Sequence, residues 1–178
     1  VGEAEFIISG AVGADRLGRR VDFVGDIDGD GMDDIMVGAP FDDIGGYNAG
    51  SAWLFNGVGA SVDPESSNSI TSTSRSVGFE GRATKDSMGR SFSGGDVDGD
   101  GYSDVVIGAY RYHSSDKGQG YFFYGPLTTG SLDHTDADNE MQGSTTDEYA
   151  SWALAMDGDV DGDGLADLAV GAPQSDMV

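Results

Sequence analysis

Residues 25–40 read GDIDGDGMDDIMVGAP. Acidic residues alternate with small ones, a glycine follows, and one more aspartate opens a short apolar run. Five carboxylates fall between Gly25 and Asp34, a crowding that like charges resist. The pattern returns twice without gaps. Residues 95–110 read GDVDGDGYSDVVIGAY, and residues 158–173 read GDVDGDGLADLAVGAP. Three copies define a repeat architecture, and the fold has to be read one repeat at a time.

The flanks repeat as well. LGRRVDFVGD (17–26), MGRSFSGGD (88–96) and YASWALAMDGD (149–159) precede the motif. AGSAWLFNG (49–57) and GQGYFFYG (118–125) follow it, and AEFIISG (4–10), SVGFEG (76–81) and ADNEMQG (137–143) lie upstream. Short segments rich in branched and aromatic residues, separated by Gly and Asp, predict short strands joined by turns. No window carries a sustained helical period. Strand one is expected around 17–24, 88–94 and 149–156, before the acidic loop. Strand two follows at 34–38, 104–108 and 167–171, and strand three at 51–55 and 120–124. Strand four, at 4–9, 76–80 and 138–142, leads into the next first strand. Connections this short suit an antiparallel meander. The repeat units run approximately over 4–57, 76–125 and 137–178, and the Ser/Thr/Asn-rich stretch 58–75 reads as a surface loop.

Composition narrows the partners. The formal charge is −23, and Lys85 and Lys117 are the only lysines among 178 residues. Such a surface repels nucleic acid and anionic membranes. The absence of cysteine excludes disulfides and thiolate metal sites, and leaves the compartment open. No apolar run approaches ~18 residues, so no direct membrane insertion is expected. The chain opens on Val1 rather than methionine, as a mature or trimmed fragment would.

The acidic loop has the form D-x-D-x-D-G-x-x-D. Its copies are Asp26, Asp28, Asp30, Gly31 and Asp34; Asp96, Asp98, Asp100, Gly101 and Asp104; and Asp159, Asp161, Asp163, Gly164 and Asp167. A hard cation such as Ca²⁺ takes six to eight oxygens. Alternate carboxylates supply them when the backbone curls, and glycine at position six permits the reversal. A backbone carbonyl at position seven (Met32, Tyr102, Leu165) adds a ligand without demanding a particular side chain. Three Ca²⁺ sites are expected. Acidic turns in which Asp merely caps backbone amides are the alternative for a single copy, and three copies with one spacing favour the cation. Zinc is disfavoured, because His113 and His134 sit in dissimilar contexts. An EF-hand is excluded too. Position twelve is Val37, Ile107 or Val170 rather than Glu, and a short apolar run replaces the following helix. The loop is therefore the turn of a β-hairpin between strands one and two.

These residues together resemble the FG-GAP repeat of integrin α-chain propellers. The resemblance rests on the apolar-Gly pairs Leu17-Gly18 and Met88-Gly89, the acidic loop, and the endings Gly38-Ala39-Pro40 and Gly171-Ala172-Pro173. Tyr110 replaces the proline in the second copy, and Tyr149-Ala150 replaces the apolar-Gly pair in the third. The resemblance implies an all-β fold: a β-propeller of four-stranded antiparallel blades, here about three, belonging to a larger, seven-bladed type. Three blades cannot close a ring, so the remaining blades are expected from the same parent chain or from another chain. It also implies calcium hairpins on one face and a protein or glycan ligand on the other. Loops 39–49, 82–87, 109–118 and 143–148 form that second face, with Arg82, Lys85, Tyr110, Arg111, Tyr112, His113 and Lys117 as its basic and aromatic residues. No catalytic constellation is present in the sequence. The expectation is a non-catalytic, calcium-stabilised extracellular or cell-surface binding and adhesion module. The alternatives are an accessory propeller of a larger secreted hydrolase and a structural subunit of a calcium-dependent surface appendage.

Overall fold

A computed structural model describes residues 7–9, 14–57, 69–71, 76–111 and 116–174. The first strand is β1 (Ile7–Ser9). β2 (Arg20–Gly25), β3 (Asp34–Ala39) and β4 (Ser51–Phe55) follow, then β5 (Ser69–Thr71) and β6 (Val77–Glu80). β7 (Ser91–Gly95), β8 (Asp104–Ala109) and β9 (Gln119–Phe123) repeat the pattern, followed by β10 (Gly130–Asp133) and β11 (Asn139–Gln142). β12 (Ala153–Gly158) and β13 (Asp167–Gly171) come last. A single 3-10 turn, His134–Asp136, is the only helical segment among the described residues.

The fold is all-β, and its sheets match FG-GAP blades of a β-propeller. β2, β3, β4 and β6 pair antiparallel in chain order as one blade. β7, β8, β9 and β11 form the next in the same way. β12 and β13 form the hairpin of a third. The outer strand β6 pairs with β4 although it lies upstream of the second acidic loop, so the sequence repeat and the blade are out of phase by one strand.

Strand periodicity accounts for the packing. Successive side chains point to opposite faces, and the middle strands of a blade are covered on both. Met36, Ala52 and Leu54 enter one core with Phe79, Phe92, Ile107, Tyr121 and Phe123, which binds the first blade to the second. The alternate residues Val37, Trp53 and Phe55 face the other way, with Ile35 and Leu17. In β8 and β9 the alternates Val106 and Phe122 join Leu154 and Met156 between the second and third blades. Two-sided burial is why IMVGA and VVIGA read as unbroken apolar runs. On the first blade's outward face, Val21 and Phe23 are 58% and 69% exposed.

Three expectations are corrected. The stretch 58–75 is not wholly loop, since Ser69–Thr71 form β5. Residues 7–9 do not join an antiparallel meander; β1 pairs in parallel with β5. Residues 4–6, and 58–68 with 72–75, lie outside the described residues. β10, unforeseen, pairs in parallel with β6. Both added strands come from a connection between a blade's third and fourth strands. Each seals the outer edge of the strand before it, an edge that would otherwise expose unpaired amides.

The third correction concerns the apolar-Gly pair. Met88 N–H donates to the Ala49 carbonyl at 2.9 Å, and Ala150 N–H donates to the Lys117 carbonyl at 2.9 Å. Ala150-Ser151, not Tyr149-Ala150, therefore fills the place of Met88-Gly89. The first and third copies carry one residue more than the second before the acidic loop, absorbed in irregularities between Phe23 and Gly25 in β2 and between Ala155 and Gly158 in β12. Gly18 and Gly89 take φ of 84° and 80°, and Ser151 takes the same left-handed backbone at 67°. Its hydroxyl is buried without a hydrogen-bond partner among the described residues. Both features oppose folding. Ser151→Gly is expected to stabilise the chain by about 1 kcal/mol, read as a rise of roughly 2–4 °C in melting temperature.

Candidate metal centres

Each acidic loop caps the hairpin between the first two strands of its blade. Two glycines let the chain reverse: φ is 80° and 88° at Gly29 and Gly31, 79° and 92° at Gly99 and Gly101, and 82° and 91° at Gly162 and Gly164. Backbone amides then turn onto the carboxylates. Asp26 accepts from Gly29 and Gly31 N–H at 2.7 and 2.9 Å. Asp96 accepts from Gly99 and Gly101 at 2.7 and 3.0 Å, and Asp159 from Gly162 and Gly164 at 2.6 and 2.9 Å. Asp28, Asp98 and Asp161 each accept from the amide two residues on.

The last aspartate ties the loop to its blade. Asp34 accepts from Ile27 N–H at 2.9 Å and from Gly57 N–H at 2.7 Å. Asp104 accepts from Val97 at 2.9 Å and Gly125 at 3.0 Å. Asp167 accepts from Val160 at 2.6 Å, with no second donor among the described residues. Asp34 and Asp104 are fully buried, and Asp167 is partly exposed.

These contacts gather three carboxylates at every loop. One oxygen from each of Asp26, Asp28 and Asp34 lies within 4.8 Å of the others, and the same holds for Asp96, Asp98 and Asp104, and for Asp159, Asp161 and Asp167. Asp30, Asp100 and Asp163 lie outside these trios. They are exposed, and each accepts from the amide at position seven, at 2.9, 2.9 and 2.8 Å. Capping does not compete with a cation, because a carboxylate has about four acceptor sites. The donor set is all oxygen, which suits a hard cation. Burial pushes the Asp34 and Asp104 carboxyls above the usual carboxylate range against the pull of two backbone donors each. Asp28 and Asp30 push Asp34 further up, as Asp98 and Asp100 do Asp104. Buried negative charge beside more negative charge calls for a cation, so the residues fit the metal.

The sign of the acid response follows. A carboxyl that binds protons more tightly folded than unfolded opposes folding when ionised. The metal-free chain is expected to gain stability as pH falls from neutral through this raised range towards 3.8. Urea midpoints across that window, in chelator, measure it.

Several supports are absent from the sequence motif. Gly57 and Gly125, at the ends of the third strands, donate to the buried aspartates, and Asn56 Nδ2 donates to Asp28. A shared terminal glycine in AWLFNG and YFFYG was the only visible signal. Position seven also does more than supply a carbonyl. The Tyr102 ring covers Gly29, where an added Cβ would lie 2.2 Å from Cε1, and Leu165 covers Gly99 at 3.0 Å. Beside them, Ser103 N–H donates to the Asp26 carbonyl at 2.9 Å and Ala166 N–H to the Asp96 carbonyl at 2.8 Å. The second loop thus braces the first, and the third braces the second. Gly162 has open space instead. Gly29→Ala is expected to cost about 1–3 kcal/mol, and Gly162→Ala about 1 kcal/mol from the backbone alone. Urea denaturation of the two variants makes the comparison.

Four-stranded antiparallel blades, each turning at a three-carboxylate hairpin, define a class of repeat protein. The FG-GAP repeat family matches residues 18–55, 88–123 and 150–177, more than half of the chain. The chain belongs to the FG-GAP repeat family. Among similar proteins, integrin alpha-5 of Xenopus laevis is 34% identical over 107 residues, covering 58% of this chain and 9% of that protein. Integrin alpha-PS2 of Drosophila melanogaster is 32% identical over 163 residues, covering 86% of this chain and 11% of its own length. Integrin alpha-PS5 of the same organism is 29% identical over 158 residues, 86% of this chain and 14% of that protein. The chain therefore spans roughly a tenth of the length of these curated relatives. No helix among the described residues is long and apolar enough to cross a membrane.

Proposed function

We propose that the chain is a non-catalytic, calcium-stabilised binding and adhesion module acting outside the cell or on its surface. The carboxylate trios of the three hairpin loops carry the reading. In the first loop Asp26, Asp28, Asp30 and Asp34 would hold one Ca²⁺ with the Met32 carbonyl. Asp96, Asp98, Asp100, Tyr102 and Asp104 would hold a second, and Asp159, Asp161, Asp163, Leu165 and Asp167 a third. The bound ion would supply positive charge that offsets carboxylate repulsion and locks the hairpins; it does no chemistry. Extracellular modules bind Ca²⁺ with Kd on the order of 10⁻⁴–10⁻³ M, which matches calcium outside cells. The adhesion role follows from the family resemblance and the integrin alpha relatives.

The ligand, a protein or glycan, would meet the loops at the opposite end of the strands. Tyr112 and His113 of that face lie outside the described residues. Exposed Val21 and Phe23 continue the apolar face of Val37 and Trp53, and mark where a further blade, from the same parent chain or another, would pack. An array of matrix proteins and glycans, probed with labelled chain in calcium and again in chelator, tests the role. Saturable retention that needs calcium supports it, and retention indifferent to calcium contradicts it.

A further inference from the structure

Tyr110 and Tyr149 stand where the second and third copies depart from the repeat. The fold brings them together. Their ring centroids lie 6.1 Å apart, and Trp152 lies 4.7 Å from Tyr110 and 6.2 Å from Tyr149. The Arg90 guanidinium stacks on this cluster, 4.4 Å from the Trp152 ring and 5.5 Å from Tyr110. Arg90 precedes β7, Tyr110 follows β8, and Tyr149 and Trp152 precede β12. All four therefore sit at the strand ends away from the acidic loops, on the seam between two blades.

The left-handed backbone of Tyr149 (φ 53°) is no special feature, because Arg16 and Ser87 share it at the same place in the repeat, at 54° and 56°. The ring there is special to the third copy. It is held in place as well: the Tyr149 hydroxyl donates to Asp116 at 3.3 Å, and Arg111 Nε lies 3.8 Å from the same carboxylate.

Among the described residues Arg90 pairs with no carboxylate. The chain has 32 acidic residues, and Arg20 and Arg111 each pair with one. Arg90 meets rings instead. Ring contacts give the guanidinium no oxygen acceptor, so its N–H groups keep the capacity to bind a carboxylate. Trp152 beside it is 38% exposed. A part-exposed indole next to a planar cation that pairs with no carboxylate among the described residues suits a ligand with a flat apolar body and one carboxylate.

We propose that Arg90, Tyr110, Tyr149 and Trp152 form a binding site for a carboxylate-bearing sugar. The sugar's C–H face would rest on the rings, and its carboxylate would take the Arg90 fork in a bidentate pair. An acidic peptide fits less well, because Asp116 and Asp147 act on Tyr149 electrostatically and would repel a densely charged chain. An acidic sugar brings one charge per ring. The assignment rests on the reading of the chain as a binding module, and names its ligand class.

The test is a tryptophan-fluorescence titration of the calcium-loaded chain with a glucuronate-containing tetrasaccharide. A neutral tetrasaccharide and a polyglutamate peptide are run beside it. Trp53 is buried, at 4% exposure, so the response reports Trp152. A saturable change with the acidic sugar alone is expected. Arg90→Gln and Arg90→Lys should each weaken it about tenfold or more, since lysine lacks the planar fork, with melting temperatures close to the parent's. No saturable response, equal binding of the neutral sugar, tighter binding of the peptide, or full affinity in both variants would overturn the assignment. Calcium-dependent melting of the same samples scores the calcium reading separately.

Discussion

Removing calcium is expected to lower the melting temperature of the chain by on the order of 10 °C. A ligand that binds only the folded state stabilises it by RT ln(1 + [L]/Kd). At tenfold saturation that is about 1.4 kcal/mol per site, or about 4 kcal/mol for three sites. For a chain of this size each kcal/mol moves the midpoint by roughly 2–4 °C. Calorimetry in millimolar calcium and in EDTA reads the shift directly. The effect should be larger at low ionic strength, where screening of the surplus carboxylates is weakest.

Asp104→Ala, with its counterpart Asp34→Ala, is expected to be the most damaging kind of single change in an acidic loop, at about 3–5 kcal/mol in calcium. Asp104 is fully buried and accepts from Val97 and Gly125. Truncation leaves two part-buried amides without their acceptor, each worth about 1–3 kcal/mol, and removes a carboxylate from its trio. Asp100→Ala, in the same loop, loses one exposed acceptor and should cost less than about 1 kcal/mol in chelator. Asp104→Asn separates the two roles. It discards the buried charge but keeps only one of the two acceptor oxygens that Val97 and Gly125 use, so it should cost about 1–3 kcal/mol in EDTA, less than the alanine, and lose its stabilisation by calcium. Urea midpoints of the three variants with and without calcium decide this.

The middle strands and the hairpin loops were legible because local chemistry specifies them. VVIGA is apolar on both faces since a blade lies on either side, IMVGA since the second blade covers one face and Ile8 and Leu17 pack on the other, and three aspartates of each loop keep one spacing since their oxygens gather within 4.8 Å. The edge strands were not legible. Ser69–Thr71 and Gly130–Asp133 show no alternation, and a parallel partner far along the chain makes them strands. The place of Ser151 was misread for a similar reason. Leu17-Gly18 and Ala150-Ser151 stand equally far before their acidic loops while Met88-Gly89 stands one residue nearer, so the spacing varies between copies, and the hydrogen bonds of Ala150 fix the place. Position seven of the loop looked indifferent to its side chain because the contact of Tyr102 with Gly29 crosses between blades. Tyr110 stood out in the sequence, but its neighbours Arg90 and Trp152 did not, since the seam that joins them exists only in the fold.

The central claim is that the three hairpin loops hold calcium, and an isothermal calcium titration of the intact chain tests it most directly. The account predicts three bound ions per chain. Asp28→Asn, Asp98→Asn and Asp161→Asn should each remove one and leave the other two. A chain that binds no calcium at millimolar concentration, or binds the same number after these substitutions, would contradict it.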